Sequence, residues 1–562
     1  MLSTDKLSCN ILADLLVAHG VNNVVLSPGS RNTPLIVALS RRKELETHIV
    51  VDERSAAFIA LGMSIQLGKP VAIVCTSGTA LLNYAPAVAE AFYRGCPLIV
   101  ISADRPEEWI DQDDSQTIWQ QNALSPYVKR SCDIPAHTNF ANAEWVCNRL
   151  INDLLLEAVT GRKGPVHINV RLDAPLNKIQ EFTPDRSRVI SMVSPSAELS
   201  ADKTEDLKAR ISSPRKVLII VGFHEPDNDL RNALERLARQ SNIAVMTETI
   251  ANVSSPLFIN KIDSTLCRIS ESERSKLAPD VVITAGGALV SRFVKEWVRS
   301  LDNVEHWHVG LSHTTIDCFK HLALRIEIKP SVFFKQLSAE MQPAETHDGY
   351  AQSWRKQVEQ AESYHKQYID SAPWSDMIAF SHIIPNIPST WNLHLSNGTP
   401  IRYAQLMDCT HINRCDCNRG VSGIDGCTST AVGASVASPK TTTLLITGDM
   451  SCQYDLGALA STLITPRFKI IVMCNGGGGI FRFISSTSTL PEMEKYFAVG
   501  TRLPLRQLAD GFGFSYHEAH DLSELRSAFK SFAATDDRPA ILAVITPPTV
   551  SAEVLRQYFQ QP

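Results

Sequence analysis

The chain has 562 residues, too many for one hydrophobic core, because domains hold roughly 100 to 200 residues and this length sets a prior of about three or four. With 44% hydrophobic and 20% charged residues it has the composition of a soluble globular protein, which excludes a collagen-like or wholly disordered chain. A formal net charge of -5 argues against a protein that wraps nucleic acid, work that needs dense Lys and Arg, yet leaves room for a local basic pocket.

Residues Met1 to Val17 carry Ile11, Leu12, Leu15 and Leu16, interrupted by Asp14 and without a basic leader, which predicts an amphipathic helix rather than an export signal. Short apolar runs then alternate with helical patterns. Strands are expected at Asn23 to Leu26, Val71 to Cys75, Leu98 to Ser102 and Val166 to Val170, with helices at Ala56 to Leu67 and Leu81 to Tyr93. Strands alternating with helices imply parallel sheets. From Phe182 to Lys216 the sequence turns polar, with Pro184, Pro195 and Pro214, and reads as a linker. A second strand series follows at Val217 to Val221, Ile243 to Met246, Val281 to Ala285 and His306 to Val309. A further polar stretch, Met341 to Ser375, carries charges at helical spacing and bridges to a third series at Leu393 to Leu395, Thr443 to Thr447 and Ile470 to Cys474. The expected organisation is α/β, three domains with parallel sheets flanked by helices, at residues 1–182, 183–345 and 346–562.

No apolar stretch approaches the roughly 18 residues of a spanning helix, so stable membrane insertion is not expected. The 13 cysteines are scattered, and Cys415 with Cys417, the closest pair, has neither zinc-knuckle nor thioredoxin spacing; reduced thiols in a cytoplasm fit this pattern.

The densest chemistry lies in the third series. Strand Thr443 to Thr447 runs into Gly448-Asp449-Met450-Ser451, and strand Ile470 to Cys474 ends in Asn475 followed by Gly476 to Gly479. Both ends fall at the carboxyl edge of one parallel sheet, where α/β folds bind ligands. Asp449 offers a hard carboxylate and Asn475 an amide oxygen, a pair suited to magnesium completed by phosphate and water. The glycines admit a diphosphate close to the backbone, and a helix start aims N–H groups at it. Either fragment alone is an ordinary turn; their paired placement is the informative feature.

A Gly-Asp and an Asn, each following a strand and about one helix plus one strand apart, resemble the thiamine-diphosphate enzymes, with Gly476 replacing the usual second Asn. The resemblance implies a thiamine-diphosphate-enzyme architecture and magnesium, with manganese as a substitute, on Asp449, Asn475 and the backbone of Gly477. It also implies an acid in the first domain that hydrogen-bonds the aminopyrimidine. Glu53, in Val50-Val51-Asp52-Glu53-Arg54, matches; alone it reads as a helix-start acid. Thr76-Ser77-Gly78-Thr79-Ala80 matches the companion element, so Ser77 and Gly78 join Gly448, Asp449, Met450, Ser451, Asn475 and Gly477 as implied cofactor contacts.

Four further segments resemble one synthase branch of that family: Ser27 to Pro34, Ala103 to Pro106, Asn418 to Gly426 and Tyr454-Asp455-Leu456. That branch decarboxylates 2-oxoglutarate and adds the succinyl-semialdehyde carbanion to isochorismate in menaquinone biosynthesis. Both substrates are carboxylates, for which guanidinium groups are fixed, bidentate partners. The resemblance places Arg31, Arg105, Arg402 and Arg419 in that role, Ser30 and Gln116 as polar substrate contacts, and Ile424 as the side chain that holds the cofactor bent. Phe481 and Ile484 either cover the reacting carbon or pack in the core. Arg292 stands where a lysine is often found, and Gly398 where a serine is usual, so Gly398 is left out of the site. Glu53, Arg31, Arg105 and Gln116 form the implied catalytic group, and the cofactor is expected between two subunits of a homodimer or homotetramer. Another thiamine-diphosphate 2-oxoacid decarboxylase or an acetohydroxyacid-synthase-like enzyme is the competing reading; a pyruvate site needs fewer cations. No G-x-G-x-x-G at a strand end and no G-x-x-x-x-G-K-[ST] supports a dehydrogenase or P-loop reading.

Overall fold

A computed structural model describes residues 1–212, 214–341, 349–500 and 503–560. Residues 342–348 of the second polar stretch and residue 213 of the first lie outside the described residues. The chain forms two compact units, one of residues 1–195, 420–440 and 454–468, the other of 196–419, 441–453 and 469–562.

The first unit is built on a six-stranded parallel sheet in the order Glu46–Ile49, Asn23–Leu26, Val71–Cys75, Leu98–Asp104, Val166–Arg171, Ser131–Ile134. Its inner strands are buried on both faces and rich in Val and Ile, although Val166–Arg171 also buries the polar His167, Asn169 and Arg171. The strand order reverses between Asn23–Leu26 and Val71–Cys75, and the carboxyl ends beside such a reversal are where open α/β sheets hold ligands. Two of the matching segments, Ser27 to Pro34 and Thr76 to Ala80, leave the sheet there.

The second unit holds two sheets. One is five-stranded, in the order Ile243–Thr247, Val217–Val221, Val281–Ala285, Glu305–Val309, Leu322–Ile326; the other is six-stranded, in the order Arg414–Asp416, Asn392–Leu395, Thr443–Gly448, Phe468–Cys474, Ala540–Ile545, Ser515–Ala519. In the six-stranded sheet the order reverses between Asn392–Leu395 and Thr443–Gly448, beside Asn397, Gly398 and Asp449. In the five-stranded sheet the matching position is filled by backbone: Gly287 N–H donates to the Phe223 carbonyl at 2.8 Å, and a Cβ on Gly222 would sit 2.1 Å from the Gly287 carbonyl.

Several expectations change. The opening segment is a strand, Leu2–Thr4, before a helix, Leu7–Ala18; the strand pairs antiparallel with Ile179–Glu181. The expected helix Leu81 to Tyr93 is two, Ala80–Asn83 and Ala85–Arg94, because Pro86 has no N–H to continue the ladder. The first polar stretch contains a helix, Ala201–Ile211, capped by Ser200 and anchored by only two buried side chains, Leu207 and Ile211. The second contains the helix Tyr350–Ser371. All 13 thiols are unbridged. Among the described residues no helix is long and apolar enough to cross a membrane.

Candidate active site

In the first unit Glu53 opens the helix Glu53–Leu67, whose start is fixed by Asp52: its carboxylate accepts from Arg54 N at 2.9 Å and Ser55 N at 3.4 Å. Glu53 lines a cavity of about 380 Å³ together with Thr76, Ser77, Gly78, Asp114 and Gln116. Gly78 has φ +87, a left-handed conformation that favours glycine, and donates its N–H to Gln120 Oε1 at 2.7 Å. The hydroxyls of Thr76 and Ser77 are buried with no hydrogen-bond partner in the protein, a costly state unless a ligand supplies one. Gly29 lets the Ser27 to Pro34 loop lie against this strand end, since a Cβ there would fall 2.3 Å from Thr76 Cβ.

Gln116 enters the cavity from a loop with left-handed residues at Asp111, Asp113 and Gln116 itself, where φ is +56. Such backbone persists only when its surroundings enforce it. Arg105 is the enforcer: its guanidinium donates to the Ser115 carbonyl at 2.9 and 3.1 Å and pairs with Asp114 at 2.5 Å. Arg31 donates to the Leu172 carbonyl at 3.0 Å, and burial together with the nearby Arg105 charge holds its pKa below the ordinary arginine value. Ser30 is exposed, and its carbonyl accepts from Thr33 Oγ1 at 2.8 Å and from Thr33 N at 3.3 Å at the start of the next helix.

Ile424 belongs to the same unit and is half-buried. Its loop is pinned by the buried Glu90, whose two carboxylate oxygens accept from Gly420 N and Val421 N, both at 2.7 Å. Gly426 sits on Phe58, five residues after Glu53 in the same helix: a Cβ there would fall 2.2 Å from the ring.

In the second unit Asp449 accepts from Met450 N at 2.7 Å and from Gly477 N at 2.9 Å, so one carboxylate ties the two sheet-edge loops together. Burial pushes its pKa up to about 6. Gly448 lies next to it, with Met450 half-buried and Ser451 buried in the turn that follows. Asn475 is buried; its Nδ2 donates to Asp376 Oδ2 at 2.8 Å, while its Oδ1 has no partner in the protein. Gly476 and Gly477 have φ +75 and +117. A Cβ on Gly477 would lie 1.9 Å from the Ala498 carbonyl, so only glycine fits. Phe481 and Ile484 are half-buried, the former edging Phe497 with ring centroids 5.7 Å apart.

Arg402 and Arg419 form a second cationic pair. Arg419 donates to Asn397 Oδ1 at 2.9 Å and faces the Leu289 carbonyl at 3.5 Å, with its Nε buried and unpartnered. Arg402 donates to the Gly398 carbonyl; burial, and after it the Arg419 charge, lower its pKa. Gly398 has φ +97, a conformation that strains any side chain. Arg292 is exposed and pairs only loosely with Glu296 at 3.7 Å.

Sequence reasoning missed several neighbours. Lys295, one helical turn beyond Arg292, donates to the same Leu289 carbonyl at 3.0 Å. Glu248 is buried and accepts from Val290 N and Ser291 N at 2.7 to 2.9 Å, and Asp263 accepts from Ser291 Oγ. Only the one-turn spacing of Lys295 was visible in advance.

These residues fit the cofactor and metal that the sequence implies. The partnerless Asn475 oxygen and the Asp449 carboxylate are hard oxygen donors beside the glycine loop, the kind of donor that a diphosphate-bound cation would take. No group of three His, Cys, Asp or Glu able to hold a metal occurs among the described residues.

Sheet-edge loops of this kind define a thiamine-diphosphate enzyme, and comparison with known families agrees. "Thiamine pyrophosphate enzyme, N-terminal TPP binding domain" matches residues 9–124, and "Thiamine pyrophosphate enzyme, C-terminal TPP binding domain" matches residues 399–544. Thiamine diphosphate is therefore its cofactor. Curated proteins called 2-succinyl-5-enolpyruvyl-6-hydroxy-3-cyclohexene-1-carboxylate synthase are similar along nearly the whole chain. The Porphyromonas gingivalis protein is 39% identical, covering 99% of this chain and 97% of its own length. Those of Flavobacterium johnsoniae and Bacteroides thetaiotaomicron are 38% and 34% identical, covering 98% and 99% of both partners. The chain belongs to this synthase family.

Proposed function

We propose that the chain decarboxylates 2-oxoglutarate and joins the remaining succinyl-semialdehyde unit to isochorismate, giving 2-succinyl-5-enolpyruvyl-6-hydroxy-3-cyclohexene-1-carboxylate and carbon dioxide, a step of menaquinone biosynthesis. The observation that carries this reading is two pairs of neighbouring arginines, Arg31 with Arg105 and Arg402 with Arg419, beyond the ends of two sheets, where burial and the neighbouring guanidinium lower the pKa of Arg31 and of Arg402. Two polycarboxylate substrates need that many fixed cations; a pyruvate decarboxylase does not.

When bound, thiamine diphosphate supplies an electron sink for the carbon that loses carbon dioxide. In this reading Glu53 would hold and move a proton at the aminopyrimidine, while Ser77 and Gly78 line the same cavity. Asp449, Asn475 and the Gly477 backbone would hold Mg2+ or Mn2+, Gly448, Met450 and Ser451 would line the diphosphate site, and Ile424 would pack against the cofactor. Ser30, Arg31, Arg105, Gln116, Arg292, Arg402 and Arg419 bind and orient the substrates, and Phe481 and Ile484 exclude water from the reacting carbon. Residues 1–182, 183–345 and 346–562 serve as pyrimidine-binding, central and diphosphate-binding domains.

A second copy completes the site, as a homodimer or a dimer of dimers. Exposed apolar side chains around the Glu53 helix start support this: Ile49 at 64% and Val51 at 76% exposure, with Tyr454 beneath the Arg54 guanidinium. An active monomer in sedimentation would contradict it. Unbridged thiols support a cytoplasmic location.

The test supplies 2-oxoglutarate and isochorismate, together and singly, with thiamine diphosphate and magnesium, and identifies products by mass. The expected adduct forms only with both. Turnover of pyruvate with none of 2-oxoglutarate refutes the reading.

A further inference from the structure

If Asn475 is a metal ligand, its side chain must present oxygen rather than nitrogen. An amide is nearly symmetric in shape, so packing alone selects between the two orientations poorly, and hydrogen bonding decides. Here the choice is made from behind the loop. Asn475 Nδ2 donates to one oxygen of Asp376 at 2.8 Å, and the other oxygen accepts from Thr546 Oγ1 at 2.5 Å. Asp376, Thr546 and Asn475 are all buried. A carboxylate has no hydrogen to give, so an inverted amide would set oxygen against oxygen and leave two buried acceptors unsatisfied.

The backbone is held separately. Arg482 donates to the Asn475 and Gly476 carbonyls, both at 3.3 Å, which fixes the loop without touching the amide. Asp376 is itself anchored, at the first position of the helix Asp376–Ile383, by its N–H to Ser551 Oγ at 3.0 Å. The consequence is visible at the far side of the amide, where Oδ1 is buried and partnerless.

We propose that Asp376 is a positioning residue for the metal site: it takes the Asn475 amino group, with Thr546 steadying its second oxygen, and so commits the amide oxygen to the cation. The inference rests on the reading of Asn475 as a ligand.

The experiment titrates Mn2+ into the full-length protein with saturating thiamine diphosphate, following the free-ion paramagnetic resonance signal. Wild type, Asn475→Ala, Asp376→Ala and Asp376→Asn are compared, with melting temperatures taken with and without metal. Loss of an outer partner of a metal ligand weakens binding about 10- to 100-fold. Asp376→Ala is expected near the lower end of that range, with a smaller metal-induced rise in melting temperature. Asp376→Asn is expected to lose about two- to threefold, since its carbonyl can still accept from Asn475 while its amino group turns to Thr546. A purely structural role would lower both melting temperatures equally and leave the dissociation constant unmoved. If Asn475→Ala binds Mn2+ as wild type does, the ligand reading fails and takes the proposal with it. If Asn475→Ala is weakened while Asp376→Ala stays within twofold of wild type, the proposal alone falls. Should the alanine variant not fold, unchanged affinity in Asp376→Asn overturns it equally.

Discussion

Gly62→Ala tests how the helix bearing Glu53 is placed. The helices Glu53–Leu67 and Cys427–Ala437 meet backbone to backbone: a Cβ on Gly62 would lie 1.9 Å from the Thr430 carbonyl oxygen, and one on Gly433 would lie 1.9 Å from that of Ile59. Each is more than about 1 Å short of van der Waals contact, and carbonyls in helices cannot swing aside as side chains do. The helices must part. Overpacking of this kind costs about 1 to 3 kcal/mol, partly offset by about 1 kcal/mol of helix propensity gained on replacing glycine by alanine. A net loss of up to about 2 kcal/mol lowers the melting temperature by roughly 2 to 4 °C per kcal/mol for a folding unit of this size. Because Glu53 opens the displaced helix, turnover falls further than stability suggests, and a misplacement of about 1 Å can cost two orders of magnitude. The double variant Gly62→Ala, Gly433→Ala is expected to cost less than the sum of the single ones by about 0.5 kcal/mol or more, since one separation serves both methyl groups. Calorimetric melts and carbon dioxide release on the four proteins are the assays. A Gly62→Ala protein that melts at or above wild type, as helix propensity alone dictates, refutes the reasoning.

Glu53→Gln keeps its shape but cannot carry the proton, so turnover should fall at least about 100-fold with Mn2+ and thiamine diphosphate still bound, measured by carbon dioxide release beside calorimetric titration; full activity sinks the assignment. Gly477→Ala, with φ +117 and no room beside Ala498, should destroy the metal loop, whereas Gly476→Ala, at φ +75 with Pro548 Cγ no nearer than 3.9 Å, should cost only about 1 kcal/mol; Mn2+ titrations that rank them the other way contradict the loop geometry. Burial raises the Glu248 pKa from 4.5 to about 7, against its Val290 and Ser291 N–H partners. Between those values the native state binds the extra proton, so the Glu248 contribution to stability declines as pH rises through that window and levels off above it. Glu248→Gln lacks this slope; urea unfolding at pH 5, 6, 7 and 8 should show the variant gaining on wild type up to about 7, while parallel curves would place the carboxyl in a more polar setting.

The strands Asn23–Leu26, Val71–Cys75, Val217–Val221 and Val281–Ala285 were legible to the residue, because a parallel strand covered on both faces is mostly apolar, with Asn23 and Thr284 the polar exceptions in these four. Glu46–Ile49, Leu322–Ile326 and Ser515–Ala519 were not. They lie at the edges of their sheets, keep polar residues, and owe their strand form to the neighbour they pair with. The site divides the same way. Glycines at positive φ, a carboxylate after one strand and an amide after another are local features, and they stand out in the sequence. Asp376 and Glu248 look like any helix-start or loop acid; only folding sets one behind Asn475 and the other beneath Val290 and Ser291.

From its residues alone the chain fixed its α/β alternation, its turn chemistry and the types of group offered at each strand end, since these depend on neighbours a few positions away. The fold decided which ends share an edge, which arginines are brought together, and that residues 420–440 and 454–468 join the unit of residues 1–195. Those outcomes depend on pairings across hundreds of residues, where burial and like charge act through space and leave no periodic mark on the sequence.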